Sequence, residues 1–184
     1  MKRTDILAKL DAAIRARDPR LAQQLRPGLD HDAIARRTKN MIGEVEPLFE
    51  LYGWHDGTEA LRYSEGSAPQ MSLLELSIVP EQLCILQDLE GTLATFDAWQ
   101  EIARYHRRVE EAVGRYFPFL WDSSDTWFTI DLKPSMKGRI VYFELQNDIP
   151  FKEAYSTFDE FLLDVLRANE TGGPLRFFEE GLIC

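Results

Sequence analysis

The segment "TWFTIDLKPSMKGRIVYFEL", residues 126–145, holds two runs of aromatic and β-branched residues around a polar centre containing proline and glycine. Such residues fit a pleated, packed surface, while proline and glycine punctuate turns. The spacing predicts strands at 126–132 and 139–145, paired antiparallel through a hairpin-type loop at "KPSMKG". "YFPFLW" (116–121) has the same character and predicts a strand before them, and a further short strand is expected ahead of Tyr155. "STFDEFLLDVLRA" (156–168) then changes period. Thr157 and Glu160 stand at capping-box spacing, and Phe158, Phe161, Leu162, Val165 and Leu166 share one helical face. "TGG" (171–173) stops that helix, and "PLRFFEEGL" (174–182) can add an edge strand.

Upstream the pattern is helical. Ile6, Leu7, Leu10, Ala13 and Ile14 recur at helical spacing; Asp18-Pro19 ends that helix or starts the next, and "RPGLD" (26–30) is a break. Asp30 can cap a helix over 32–42, stopped by Gly43. Pro47 opens a short helix through Leu48, Phe49, Leu51 and Tyr52, closed by Gly53, which makes "WHDG" (54–57) its exit. Residues 58–70 read as a loop or weak edge strand, and "MSLLELSIV" (71–79) as a strand or part of a buried run. A long helix is expected from Thr95 to Val113, ended by Gly114. Helices followed by an antiparallel meander and a helix packed on it give an α+β class, a mostly antiparallel β-sheet flanked by helices.

Charge is unevenly divided. Residues 1–40 hold ten Lys and Arg against five Asp, a net +5, whereas 41–184 hold eleven against twenty-six Asp and Glu, a net −15. A body of that sign argues against nucleic acid, whose phosphates need a positive surface, and suits a basic protein partner. No run approaches the ~18 apolar residues of a membrane span, and the first residues lack the apolar stretch of a secretory signal, so the expected location is cytoplasmic. Cys84 and Cys184 make no disulfide framework and are expected as free thiols.

His31, His55 and His106 lie far apart, without partners at metal-ligand or triad spacing, and no nucleotide or hydrolase motif is present. No cofactor or metal is therefore expected. Asp122, Asp125 and Asp131, around "WDSSDTWFTID" (121–131), could serve as general acid and base or bind calcium. "DSSD" is equally what a turn between strands needs for its backbone hydrogen bonds, and the turn is the stronger reading. Asp131, between Ile130 and Leu132, should point away from the core.

"LFELYGWHDG" (48–57), "FPFLWDSSDTWFTIDL" (117–132), "GRIVYFEL" (138–145), "AYSTFDEFLLDVL" (154–166) and "TGGPLRFFEEG" (171–181) occur in an order that resembles the SUKH superfamily of cell-wall assembly regulators and bacterial immunity proteins. The resemblance covers about residues 28–182. It implies a SUKH-like α+β domain at 28–184, with residues 1–27 as a basic helical segment ahead of it. It also implies a non-enzymatic, protein-binding role: an immunity protein that neutralises a cognate polymorphic toxin, or a regulatory or scaffolding domain. Leu51, Tyr52, Trp54 and Gly57 are carried over as structural landmarks, and the region of Trp121, Asp125 and Asp131 as a recurring feature. Ser123-Ser124 departs from the glycine pair many relatives carry before the second strand. On this reading Tyr52 and Trp54 anchor the helical layer, while His55 and Asp56 reach the surface, where a basic toxin domain could use them together with Trp121, Asp125 and Asp131. A small hydrolase built on His55 with Asp56 or Asp125 is the remaining alternative.

Overall fold

The computed structural model describes residues 1–38, 45–59, 72, 74–103, 107–110, 112–122, 125–133, 135–136, 138–145 and 151–179. The chain begins with helices α1 (Arg3–Arg17) and α2 (Pro19–Gln24), strand β1 (Leu25–Pro27), and helices α3 (His31–Thr38) and α4 (Glu46–Trp54). Strand β2 (His55–Thr58), a 3-10 turn at Leu74–Leu76, strand β3 (Ile85–Leu86), and helices α5 (Leu89–Ala103) and α6 (Arg107–Glu110) follow. The second half runs β4 (Tyr116–Trp121), β5 (Thr126–Asp131), β6 (Ile140–Glu144), β7 (Phe151–Tyr155), α7 (Phe158–Thr171) and α8 (Arg176–Glu179).

The strands β3-β4-β5-β6-β7 form one sheet in that order, every neighbouring pair antiparallel, and β1 pairs with β2 in a separate antiparallel ribbon. The expected hairpin is present, with Phe128 opposite Tyr142 and Thr126 opposite Glu144. The class is α+β.

Both faces of the sheet are covered. Phe117, Leu120, Phe128, Ile130 and Ile140 enter the main core with α7 and α1, while Tyr116, Val141 and Phe143 form a second cluster with Trp99, Val109 and Ala112. Burial on both sides explains the first correction. Asp131 does alternate with Ile130, but the face it turns to lies under α5 and α6 rather than water, and the residue is fully buried. A bulge between Pro118 and Leu120 lets Phe119 and Leu120 both join the main core.

Helix α7 forms as its periodicity dictates. Thr157 Oγ1 accepts from the Glu160 amide at 3.1 Å, and Gly172 caps the other end in the left-handed region at φ 76°. The Glu160 carboxylate reaches back to the Ser156 amide (3.1 Å), one residue before the cap.

"PLRFFEEGL" supplies the short helix α8 instead of an edge strand, because Phe177 and Phe178 both turn onto Phe128 and Tyr142. "MSLLELSIV", expected as a strand or part of a buried run, is the buried run: its described residues make the 3-10 turn and a buried stretch from Leu76 to Val79. Its ends are tied by Ser77, whose hydroxyl accepts from the amides of Val79 (3.1 Å) and Cys84 (2.9 Å). The long helix begins six residues early, at Leu89, with Asp88 Oδ1 accepting from the Gly91 amide (2.7 Å) as its cap. Gly53 does not close α4, which continues to Trp54. Gly53 is instead where the "RPGLD" break crosses α4: a Cβ on Gly28 would lie 1.9 Å from the Gly53 carbonyl oxygen. From residue 60, the segment expected as a loop or edge strand lies outside the described residues, as do Gly43, His106, Ser123-Ser124 and Cys184.

The basic N-terminal segment shares the core of the rest. Ile6, Leu7, Leu10 and Ile14 are buried against α7, in the same cluster as Phe119, Phe158 and Phe161. Arg3 pairs with both Glu50 of α4 and Asp159 of α7, and its guanidinium lies 5.6 Å from the Phe158 ring centre.

Candidate functional site

The exit of α4 is a structural clamp. Leu51 and Tyr52 are buried, and the Tyr52 hydroxyl donates to Thr92 Oγ1 at 2.9 Å, fixing α4 to α5; burial holds that phenol far above its usual pKa. Trp54 is half-buried, packed against the core with its ring 4.5 Å from His55. Gly57 has φ 77°, and a Cβ there would come within 2.4 Å of the Asp88 amide nitrogen, so both conformation and space require glycine.

Asp56 was expected at the surface and is instead fully buried. Its Oδ1 accepts the Leu89 amide at 2.8 Å, at the start of α5, and its Oδ2 lies 3.1 Å from Arg26 Nη2 as an ion pair without hydrogen-bond alignment. Arg26 Nη1 also donates to the Asp56 carbonyl and to Asp88 Oδ2, both at 3.1 Å, and its Nε faces Glu59 at 3.4 Å. Two carboxylates at the positive end of α5 thus share one arginine from β1. Nothing in the "RPGLD" turn announced that role for Arg26, whose partners lie 30 and 62 residues away.

His55 is half-buried too. Nδ1 lies 2.7 Å from the Arg26 carbonyl oxygen and Nε2 lies 3.2 Å from Asp11 Oδ1. Both oxygens only accept when Asp11 is ionised, so the doubly protonated ring satisfies both contacts and a neutral ring only one. The ring is directed at α1 and β1, so neither the His55–Asp56 nor the His55–Asp125 dyad of the hydrolase reading is formed.

Asp131 is held by Arg115 in a forked contact, Nη2 at 3.0 Å and Nε at 3.3 Å, and also accepts the Lys133 amide at 2.9 Å. It is the closure of the β5 end rather than a contact surface. A third buried carboxylate, Asp164, is not among the residues singled out by the sequence. Asp164 of α7 accepts from Tyr155 (2.8 Å), Arg167 Nε (2.7 Å), and Arg176 through its amide (2.8 Å) and Nε (2.9 Å). Burial alone would raise its pKa, but these donors prevail and hold it below the usual carboxylate value. Its signal was present, since an aspartate inside an apolar helical face requires partners.

One open feature is a pocket of about 210 Å³ where the β4–β5 turn meets α8 and the 82–83 loop. Leu120, Phe128, Tyr142 and Phe178 supply apolar walls, Trp121 comes from the end of β4, Thr126 and Trp127 from the start of β5, and Asp122 from the turn between them. Of the expected partner-binding residues, Trp121 lines this pocket; Asp125 is half-buried in the same turn, its carbonyl accepting the Leu145 amide at 2.9 Å. His55, Asp56 and Asp131 line none of it. Among the described residues no group of three His, Cys, Asp or Glu side chains converges as a metal site would, and no helix is long and apolar enough to cross a membrane. No protein-family model matches the chain, and no curated protein is significantly similar to it.

Proposed function

We propose that this protein is a non-catalytic binding domain that acts in the cytoplasm as an immunity protein, neutralising a cognate toxin domain of basic character. The observation that carries the reading is the open, aromatic-walled pocket at the Trp121–Asp122 turn, set in a body of net charge −15 over residues 41–184. Aromatic anchors beside acidic groups are what recognition of a basic protein surface requires. Of the carboxylates considered for acid–base work, Asp56 is paired with Arg26 and Asp131 with Arg115. The five sequence elements that resemble the SUKH superfamily support the same role. Such an inhibitor works by covering the toxin's active site or substrate path, and needs no chemistry of its own.

The test is to identify the gene directly upstream, which should encode a toxin domain, and to co-express the two. Cells carrying both should grow, and the purified chains should co-migrate in size-exclusion chromatography. Growth arrest unrelieved by this protein would refute the immunity role.

A further inference from the structure

We propose that the cleft between the end of α1 and the 74–80 stretch binds a small monocarboxylate through Arg17. This cleft shares no residue with the pocket beside Trp121, and its ligand lies beyond the partner-binding reading above. Its volume is about 250 Å³. Drug-sized ligands occupy roughly 300–1,000 Å³, so the occupant here is limited to a few carbon atoms.

The site rests on Arg17. This last residue of α1 is half-buried, and its Nη2 donates to the Ser77 carbonyl oxygen at 3.0 Å, which fixes the guanidinium against the cleft. Nη1 is buried and has no hydrogen-bond partner. Among the described residues Arg17 forms no ion pair, whereas Arg3, Arg26 and Arg115 each hold a carboxylate. A cation withdrawn from water without a counter-ion is costly, and the negative end of α1 offers only partial charge. Burial accordingly pushes the guanidinium below its ordinary pKa, with Asp18 offsetting part of that effect.

The two acids of the lining are committed elsewhere. Asp18 Oδ1 accepts the Arg20 and Leu21 amides, both at 3.0 Å, as the cap of α2. Glu75 pairs with Arg20 Nη1 at 3.2 Å and accepts the Ser72 amide at 2.7 Å. Their charges still border the cleft, which disfavours a phosphate dianion. A single carboxylate matches the single unpaired cation and accepts from its free donors. The other walls are apolar: Val79, Pro80 and Leu74, whose 52% exposure leaves surface for a short hydrocarbon tail to cover.

Titration of the full chain with butyrate, followed by NMR at constant ionic strength, tests the proposal. Butyramide is the neutral control and phosphate the competing anion. Butyrate should shift the Ser77 and Val79 amide resonances saturably, and the other two should not. Arg17→Gln, which keeps a donor for the Ser77 carbonyl, should weaken butyrate about ten-fold. Leu74→Ala, at an exposed position, should weaken butyrate about four-fold, the factor for one buried methylene, and leave acetate unchanged. If Arg17→Gln does not fold, the Leu74→Ala comparison decides in its place. Equal response to butyrate and butyramide, a stronger response to phosphate, indifference to Arg17→Gln, or no response at all would overturn the proposal.

Discussion

Arg26 carries more of the structure than any other ionic side chain near the α4 exit. It faces three carboxylates, of which Asp56 has only 1% of its side chain exposed. Removing one partner of a buried pair strands the other, so Arg26→Ala should lower the unfolding free energy by about 3–5 kcal/mol. Adding Asp56→Asn should restore part of that loss, because the stranded charge is gone. Urea unfolding of the single and double variants checks this, and a loss under about 1 kcal/mol would mean that the network is solvated. Asp164 gives a pH signature. Its folded pKa is depressed, so its stabilisation is complete at pH values above the unfolded carboxylate value of about 4 and disappears as pH falls through the lower folded value. Asp164→Asn should therefore be destabilising at neutral pH and should flatten the acid side of a melting-temperature profile. Parallel profiles for variant and parent would contradict it.

At the scale of elements, the strongest test concerns α1. Its buried face, Ile6, Leu7, Leu10 and Ile14, covers α7, and Asp11 and Arg3 tie it to His55, Glu50 and Asp159. A chain beginning at residue 28 should therefore lose cooperative melting, as seen by near-ultraviolet circular dichroism. A truncated chain that melts as the full one does would show that the helix is an accessory. The sequence resemblance placed residues 1–27 outside the domain, and side-chain packing puts their apolar face within the same core. The strands were readable because aromatic and β-branched runs alternate with turn residues at 116–145. What alternation could not reveal was that both sheet faces are covered, which buried Asp131, or that adjacent Phe177 and Phe178 would pack from a helical turn. The pocket was half readable: "WDSSD" marked the turn, but the Phe178 and Leu83 walls come from segments distant in sequence. Asp56 is misplaced by the sequence reading, and Arg26 has no signal there, for the same reason: each is explained by partners on other elements.

For the whole molecule, the distribution of charge makes a kinetic claim. Arg115, Arg139, Arg167 and Arg176 are each paired with Asp or Glu, and the chain as a whole carries a net charge of −10, made up of +5 over residues 1–40 and −15 over 41–184. An excess of that size attracts a basic partner over distances comparable to the Debye length, about 8–10 Å at physiological salt. The most direct measurement is stopped-flow association with the basic toxin domain proposed as its partner, across a salt series. The association rate should fall steeply as ionic strength rises, and replacing two or three exposed carboxylates should lower it while the melting temperature holds. A rate independent of salt, with affinity lost only on aromatic substitution, would contradict electrostatic capture.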